Sequence, residues 1–95
     1  MLNFIEVLLD QGEVTLASYY LDQTQKVLVT RPEQLYYHVV MHFYKSLVRY
    51  LQGHDPDHLA QCQAQLNFLK TNGYIQEAAS LAAFLEKNSL EKNSG

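Results

Sequence analysis

The chain has little of what marks catalysts, secreted proteins or membrane proteins. Its 95 residues include one cysteine, Cys62, so no internal disulfide can form, and no charged and then apolar leader opens the sequence. A reducing cytoplasm is therefore the expected compartment. Seven Lys and Arg stand against ten Asp and Glu, a formal net charge of −3. That leaves no basic field to draw phosphate backbones, and no direct nucleic-acid contact by this chain is expected. The longest apolar runs are a few residues, far short of the roughly 20 that cross a bilayer, so no membrane partner is expected. Glycine-rich phosphate loops, serine elbows and paired catalytic carboxylates are all missing. Cys62 lies in a helical apolar pattern with Leu59 and Leu66, which suits a small buried side chain better than an exposed thiolate nucleophile. These absences predict no catalytic residue, no cofactor and no enzyme.

Metal chemistry is the one exception worth testing. His38 with His42, and His54 with His58, are each four residues apart, which puts two imidazoles on one helical face. The pairs are separated by roughly 15 Å along a helix axis, and neither has a third ligand in its motif. No metal site is expected.

What the chain does have is apolar periodicity. With 47% apolar and 18% charged residues it has the composition of one ordinary globular domain. Leu2, Ile5, Leu8 and Leu9 predict a short first helix ended by Gly12. Val14, Leu16, Ala17, Tyr20, Leu21, Thr24, Val27 and Leu28 predict a second, to about residue 29. Thr30, Arg31 and Pro32 break it and start a third, with the core stripe Leu35, Val39, Phe43, Ser46, Leu47 and Tyr50. Gly53 is the expected C-cap of that helix. Asp55 as N-cap with Pro56 at the first helical position then opens a fourth, carrying Leu59, Cys62, Ala64, Leu66, Phe68 and Leu69. A fifth is expected from about Ile75 to Glu86, with Ile75, Ala78, Ala82 and Leu85 on its packing face.

Gly12-Glu-Val-Thr-Leu-Ala17 and Gly73-Tyr-Ile-Gln-Glu-Ala78 are near copies of one device. Glycine ends a helix in the left-handed conformation, and an alanine one turn into the next helix lets two backbones approach. The same spacing occurs in tetratricopeptide-type (TPR) repeats. Short loops then predict an all-α fold of five antiparallel helices, arranged as degenerate TPR-like hairpins in a fragment of an α-solenoid. Residues 1–87 form the expected helical-repeat domain and residues 88–95 a flexible polar tail. Gly53 breaks the spacing, which leaves open which helices would face a concave groove.

The run Leu35-Tyr-Tyr, then His42-Phe-Tyr-Lys-Ser-Leu-Val-Arg-Tyr-Leu-Gln-Gly53, then Cys62 and Leu66-Asn-Phe-Leu-Lys-Thr-Asn-Gly-Tyr74, resembles the last part of the C-terminal domain of Rgg/MutR/GadR transcriptional regulators. The resemblance spans most of residues 1–87. It implies a cytoplasmic regulatory module that binds a short signalling peptide and forms homodimers. No helix-turn-helix is found in the chain, so DNA binding is not carried over. The alternative is a free-standing TPR-like adaptor or secretion chaperone that binds a helix or tail of a partner protein.

On the third helix, the positions opposite the core stripe are Gln34, His38, Met41, Lys45, Arg49 and Gln52, with Tyr37 and His42 beside them. They extend along roughly 27 Å at 1.5 Å per residue. Tyr37, His38, Met41, His42, Lys45 and Arg49 are the expected peptide-binding residues, with cations for carboxylates and soft or aromatic side chains for apolar groups. On the fifth helix Leu81, Phe84 and Leu85 are the expected homodimer interface, since the last helix of a stack has no successor to cover it.

Overall fold

The computed structural model describes residues 2–28 and 34–94, and all of the regular structure among them is helical. The helices are α1 (Leu2–Asp10), α2 (Val14–Leu28), α3 (Leu35–Gly53), α4 (Pro56–Thr71) and α5 (Ile75–Ser94). The expected break at Thr30, Arg31 and Pro32 lies outside the described residues.

The two glycine devices fold alike. Gly12 has φ +78° and Gly73 φ +93°, backbone that a side chain would strain. The Gly12 N–H donates to the Leu9 carbonyl at 3.1 Å, and the Glu13 N–H to Leu8 at 2.8 Å. At the other turn the Gly73 N–H donates to Lys70 at 3.3 Å, and the Tyr74 N–H to Leu69 at 2.9 Å. Both patterns are Schellman motifs, which satisfy carbonyls that a helix end would otherwise leave bare. Each following helix then begins with an alanine N–H donating at 2.9 Å, Ala17 to Glu13 and Ala78 to Tyr74. Ala17 and Ala78 are both buried.

The α3–α4 turn is built differently. Gly53 is the last residue of α3, and the left-handed position falls on His54, φ +57°, whose N–H donates to the Tyr50 carbonyl. Asp55 caps α4 by accepting from the Asp57 N–H at 2.9 Å, with Pro56 in the first turn.

The core gathers around α3. It packs most extensively on α4, then on α2, and also touches α5; α1 packs on α2 and α5 on α4. Val39, Val40, Met41, Phe43, Tyr44, Ser46, Leu47, Val48 and Tyr50 are all buried, so α3 is enclosed over most of its circumference, as a central helix is. Ile5, Leu8, Leu9, Leu21, Cys62, Leu66, Leu69, Leu81 and Leu85 complete the core from the other four helices. The outer helices meet across α3: the Tyr44 hydroxyl of α3 donates to the Glu6 carboxylate of α1, and its ring lies edge-on to Phe84 of α5 at 6.1 Å. Lys87 of α5 and Asp10 of α1 form an ion pair at 3.3 Å.

Several expected core positions lie elsewhere. Leu35, Leu16, Tyr20, Val27 and Phe68 are exposed, because each sits on the outer flank of an apolar stripe wider than the contact it makes. On α5 the buried face is Ala78, Leu81, Leu85 and Asn88, while Ile75 and Ala82 are exposed. The helix also runs on past Glu86 to Ser94. Asn88 donates through Nδ2 to the Phe84 carbonyl at 3.0 Å and Ser89 through Oγ to Glu86 at 3.3 Å, so buried polar side chains are satisfied within the helix.

Candidate functional site

One stripe of α3 escapes burial. His42, Arg49 and Gln52 are exposed and His38 and Lys45 half-buried, at spacings of four, three, four and three residues that keep them in line along the helix. Contacts fix what flanks the stripe. On one side Lys45 pairs with Asp22 of α2 at 3.4 Å and donates to the Gln25 side chain. On the other, the Ser46 hydroxyl donates to Gln61 of α4 at 3.3 Å, and the Cys62 thiol to the Phe43 carbonyl at 3.6 Å. The stripe is therefore a slot between α2 and α4, with α1 and α5 behind it.

Beside the slot, between α2 and α3, is a cleft of ≈ 170 Å³ lined by Ser18, Leu21, Asp22, Lys45, Val48, Arg49 and Gln52. Its charges differ in what they can still do. Lys45 is held by Asp22 and Gln25, which fixes its position and partly neutralises it. Arg49 makes no ion pair with any described residue, so its planar fork of donors remains available to an incoming carboxylate. Sequence reasoning missed Ser18, Asp22 and Gln25. Their spacing of four and three, beside the apolar stripe of α2, was a signal, but it does not say which helix that face meets.

Of the six residues expected to bind peptide, the structure brings four into the slot: His38, His42, Lys45 and Arg49. Met41 is 2% exposed and belongs to the core, which corrects its expected placement on an accessible face. The reason is that α2 covers its flank of α3, so the helix has a narrower polar stripe than two neighbours would leave. Tyr37 is exposed but lies about 80° around the axis from Lys45 at 3.6 residues per turn. It belongs to a separate aromatic group, edge-on to Tyr36 at 5.2 Å, with Tyr36 against Tyr74 at 4.8 Å.

The α5 residues expected at a dimer interface are also placed differently. Leu81 and Leu85 are buried in the chain's own core, and Phe84 is half-buried against it. The expectation assumed that the last helix has nothing beyond it, whereas α5 turns its apolar face back onto α3 and α4.

Three groups, Cys62, Tyr44 and Tyr36, are shifted toward their neutral forms. Burial pushes the Cys62 thiol up to about 12, away from the thiolate that nucleophilic chemistry needs. Tyr44 is raised well above its ordinary value by burial, then by its hydrogen bond to Glu6 and that group's charge. Tyr36 is raised by burial and then by the nearby charge of Glu77. His58 has a buried Nδ1 with no hydrogen-bond partner. Among the described residues no three His, Cys, Asp or Glu side chains cluster as metal ligands, and no helix is long and apolar enough to cross a membrane.

A family model for the C-terminal domain of the HTH-type transcriptional regulator Rgg matches residues 1–83. The chain belongs to this family. No curated protein and no solved structure matched the chain.

Proposed function

We propose that this member of the Rgg C-terminal domain family is a non-enzymatic, cytoplasmic regulatory module that binds a short signalling peptide or protein segment and acts as a homodimer. The observation that carries the reading is the slot of α3, where His38, His42, Lys45 and Arg49 stand in line beside a cleft that Lys45 and Arg49 help to line. An extended peptide along the slot would set a carboxylate on the Arg49 guanidinium and lay its backbone past Gln52 and the histidines. Tyr37 would meet the peptide only where it leaves the slot. The five helices are read as degenerate TPR-like antiparallel hairpins. Packing of each helix on its sequence neighbours supports this, as do the short connections between α1 and α2, α3 and α4, and α4 and α5.

Titration with short hydrophobic peptides encoded nearby, followed by amide chemical shifts, tests the reading. Shifts should concentrate in α3 from His38 to Gln52 and in α2 around Asp22. Arg49→Ala should weaken binding about tenfold or more, the scale of one charge-assisted hydrogen bond. Shifts confined to residues 88–95, with α3 silent, would overturn it.

A further inference from the structure

Lys45 is the cation of the slot that the protein itself has already engaged. Its ammonium pairs with the Asp22 carboxylate of α2 at 3.4 Å and donates to the Gln25 side chain. The two halves of the ion pair differ in exposure, the Lys45 side chain being 21% exposed and that of Asp22 58%. Asp22 can therefore turn out to water at small cost, whereas Lys45 would be left half-buried with only a neutral amide beside it. The acidic half of the pair is the replaceable one.

Arg49 shows what could replace it. It lies one turn further along α3, four residues from Lys45, a spacing that puts Cβ atoms about 5–6 Å apart on one face. Asp22 pairs with Lys45 and not with Arg49, which makes no ion pair with any described residue. Both cations line the same cleft of ≈ 170 Å³, whose apolar walls are the buried Leu21 and Val48 and whose polar ones include Ser18 and Gln52. Pockets for whole small molecules run to roughly 300–1,000 Å³, so this one admits a single group of a larger ligand. A carboxylate placed there meets an ammonium and a guanidinium together, and so makes two charge-assisted contacts where Asp22 makes one.

We propose that Asp22 is a built-in competitor of the site: it occupies Lys45 in the free protein and is displaced by a ligand carboxylate that bridges Lys45 and Arg49. This rests on the peptide reading above and names the chemistry of one subsite within it. A neutral group cannot take the place of Asp22 and leaves the pair closed. An anion that reaches Lys45 alone exchanges one weak contact for another. Asp22 thereby favours ligands whose carboxylate engages both cations, and a peptide can bring that carboxylate as its C-terminus or as an acidic side chain.

Three N-acetylated tripeptides added to the full chain, followed by amide chemical shifts, test the assignment: Ala-Leu-Leu as the free acid, the same peptide as its C-terminal amide, and Ala-Leu-Asp as the amide. One of the two acidic probes should bind about tenfold more tightly than the neutral one, with shifts at Ser18, Asp22 and Arg49, and which of them does so identifies the source of the carboxylate. Asp22→Asn should tighten that acidic probe about threefold to fivefold and leave the neutral probe unchanged. The gain should vanish when Lys45→Gln is also present, because nothing is then left to compete for. Glu13→Gln removes the same charge just ahead of α2 and should change neither probe, and the spectrum of each variant checks its fold. An Asp22→Asn variant that binds the acidic probe no better than wild type would overturn the proposal. So would a gain that survives Lys45→Gln or is matched by Glu13→Gln. Equal binding of acidic and neutral probes, with shifts in α3, would remove the competitor and leave the peptide reading standing, whereas an α3 silent to every probe would remove both.

Discussion

Around Gly12 and around Gly73 the backbone makes the same turn, with the same two Schellman hydrogen bonds and the same buried alanine opening the next helix. The surroundings differ. Behind the first turn α1 packs on α2, and its far side carries the exposed Phe4 and Val7. Behind the second, α5 packs on α4 and also touches α3, and Leu81 and Leu85 close the core. Five or six residues are enough to specify a hairpin. How firmly the hairpin is held, and whether it has surface left over, depends on helices far away in sequence.

Enlarging the two alanines should give the largest effect and the clearest contrast. Ala78→Leu forces a side chain between helices that are both held by α3, and should cost about 3 kcal/mol of unfolding free energy. Ala17→Leu should cost about 1–2 kcal/mol, because α1 can move outward into the space beyond Phe4 and Val7. Urea denaturation measures both, and equal losses would remove the distinction between the two hairpins.

Replacing the two glycines should do the opposite and show no contrast. At Gly73 an added Cβ would meet nothing within 4 Å, so the penalty there is backbone strain alone. Gly12→Ala and Gly73→Ala should each cost about 1–2 kcal/mol, the scale of forcing an L-residue into left-handed backbone. A large difference between them would mean that the turns are not held by the same local geometry.

The sequence made the local devices legible and the long-range ones not. Helix boundaries at Gly12, Asp55-Pro56 and Gly73 follow from backbone chemistry within a few residues, and the structure has them. Gly53 looked like a fourth such signal, but His54 took the left-handed position, one that His tolerates better than most side chains. Met41 and Leu81 were misplaced for a different reason. Periodicity says which face of a helix is apolar, but not how many neighbours will cover it, and α3 packs on three. The same limit hid Asp22, whose place in the site depends on Lys45 across the helix pair.

Tyr44 joins the two halves of the comparison, since it bonds to Glu6 on α1 and touches Phe84 on α5. Tyr44→Phe should cost about 1 kcal/mol, the usual net worth of a hydrogen bond, because the partly exposed Glu6 can turn to water. A pH scan carries more information. The folded state holds this phenol neutral, with its pKa raised above the ordinary value of about 10, so the stabilisation is complete below pH ~10 and lost as pH rises beyond it. The wild type should therefore lose stability above pH ~10 more steeply than Tyr44→Phe. Parallel alkaline falls would mean that Tyr44 ionises as readily folded as unfolded.

The smallest effect should come from the contact that links the two ends most visibly. Lys87 and Asp10 tie α5 to α1, yet their side chains are 53% and 38% exposed. Water and salt screen such a pair, and ordering two flexible side chains offsets much of what attraction remains. The closure of α1 rests instead on Ile5 and Leu9, both fully buried, and on the Tyr44–Glu6 bond. Lys87→Ala should thus change stability by less than about 0.5 kcal/mol. Hydrogen exchange in α1 should be unchanged in the variant, whereas Tyr44→Phe should speed it. If Lys87→Ala opened α1 as readily as the loss of Tyr44, the ends would be joined by surface charge, and the contrast between a firmly held C-terminal hairpin and a loosely held N-terminal one would fail.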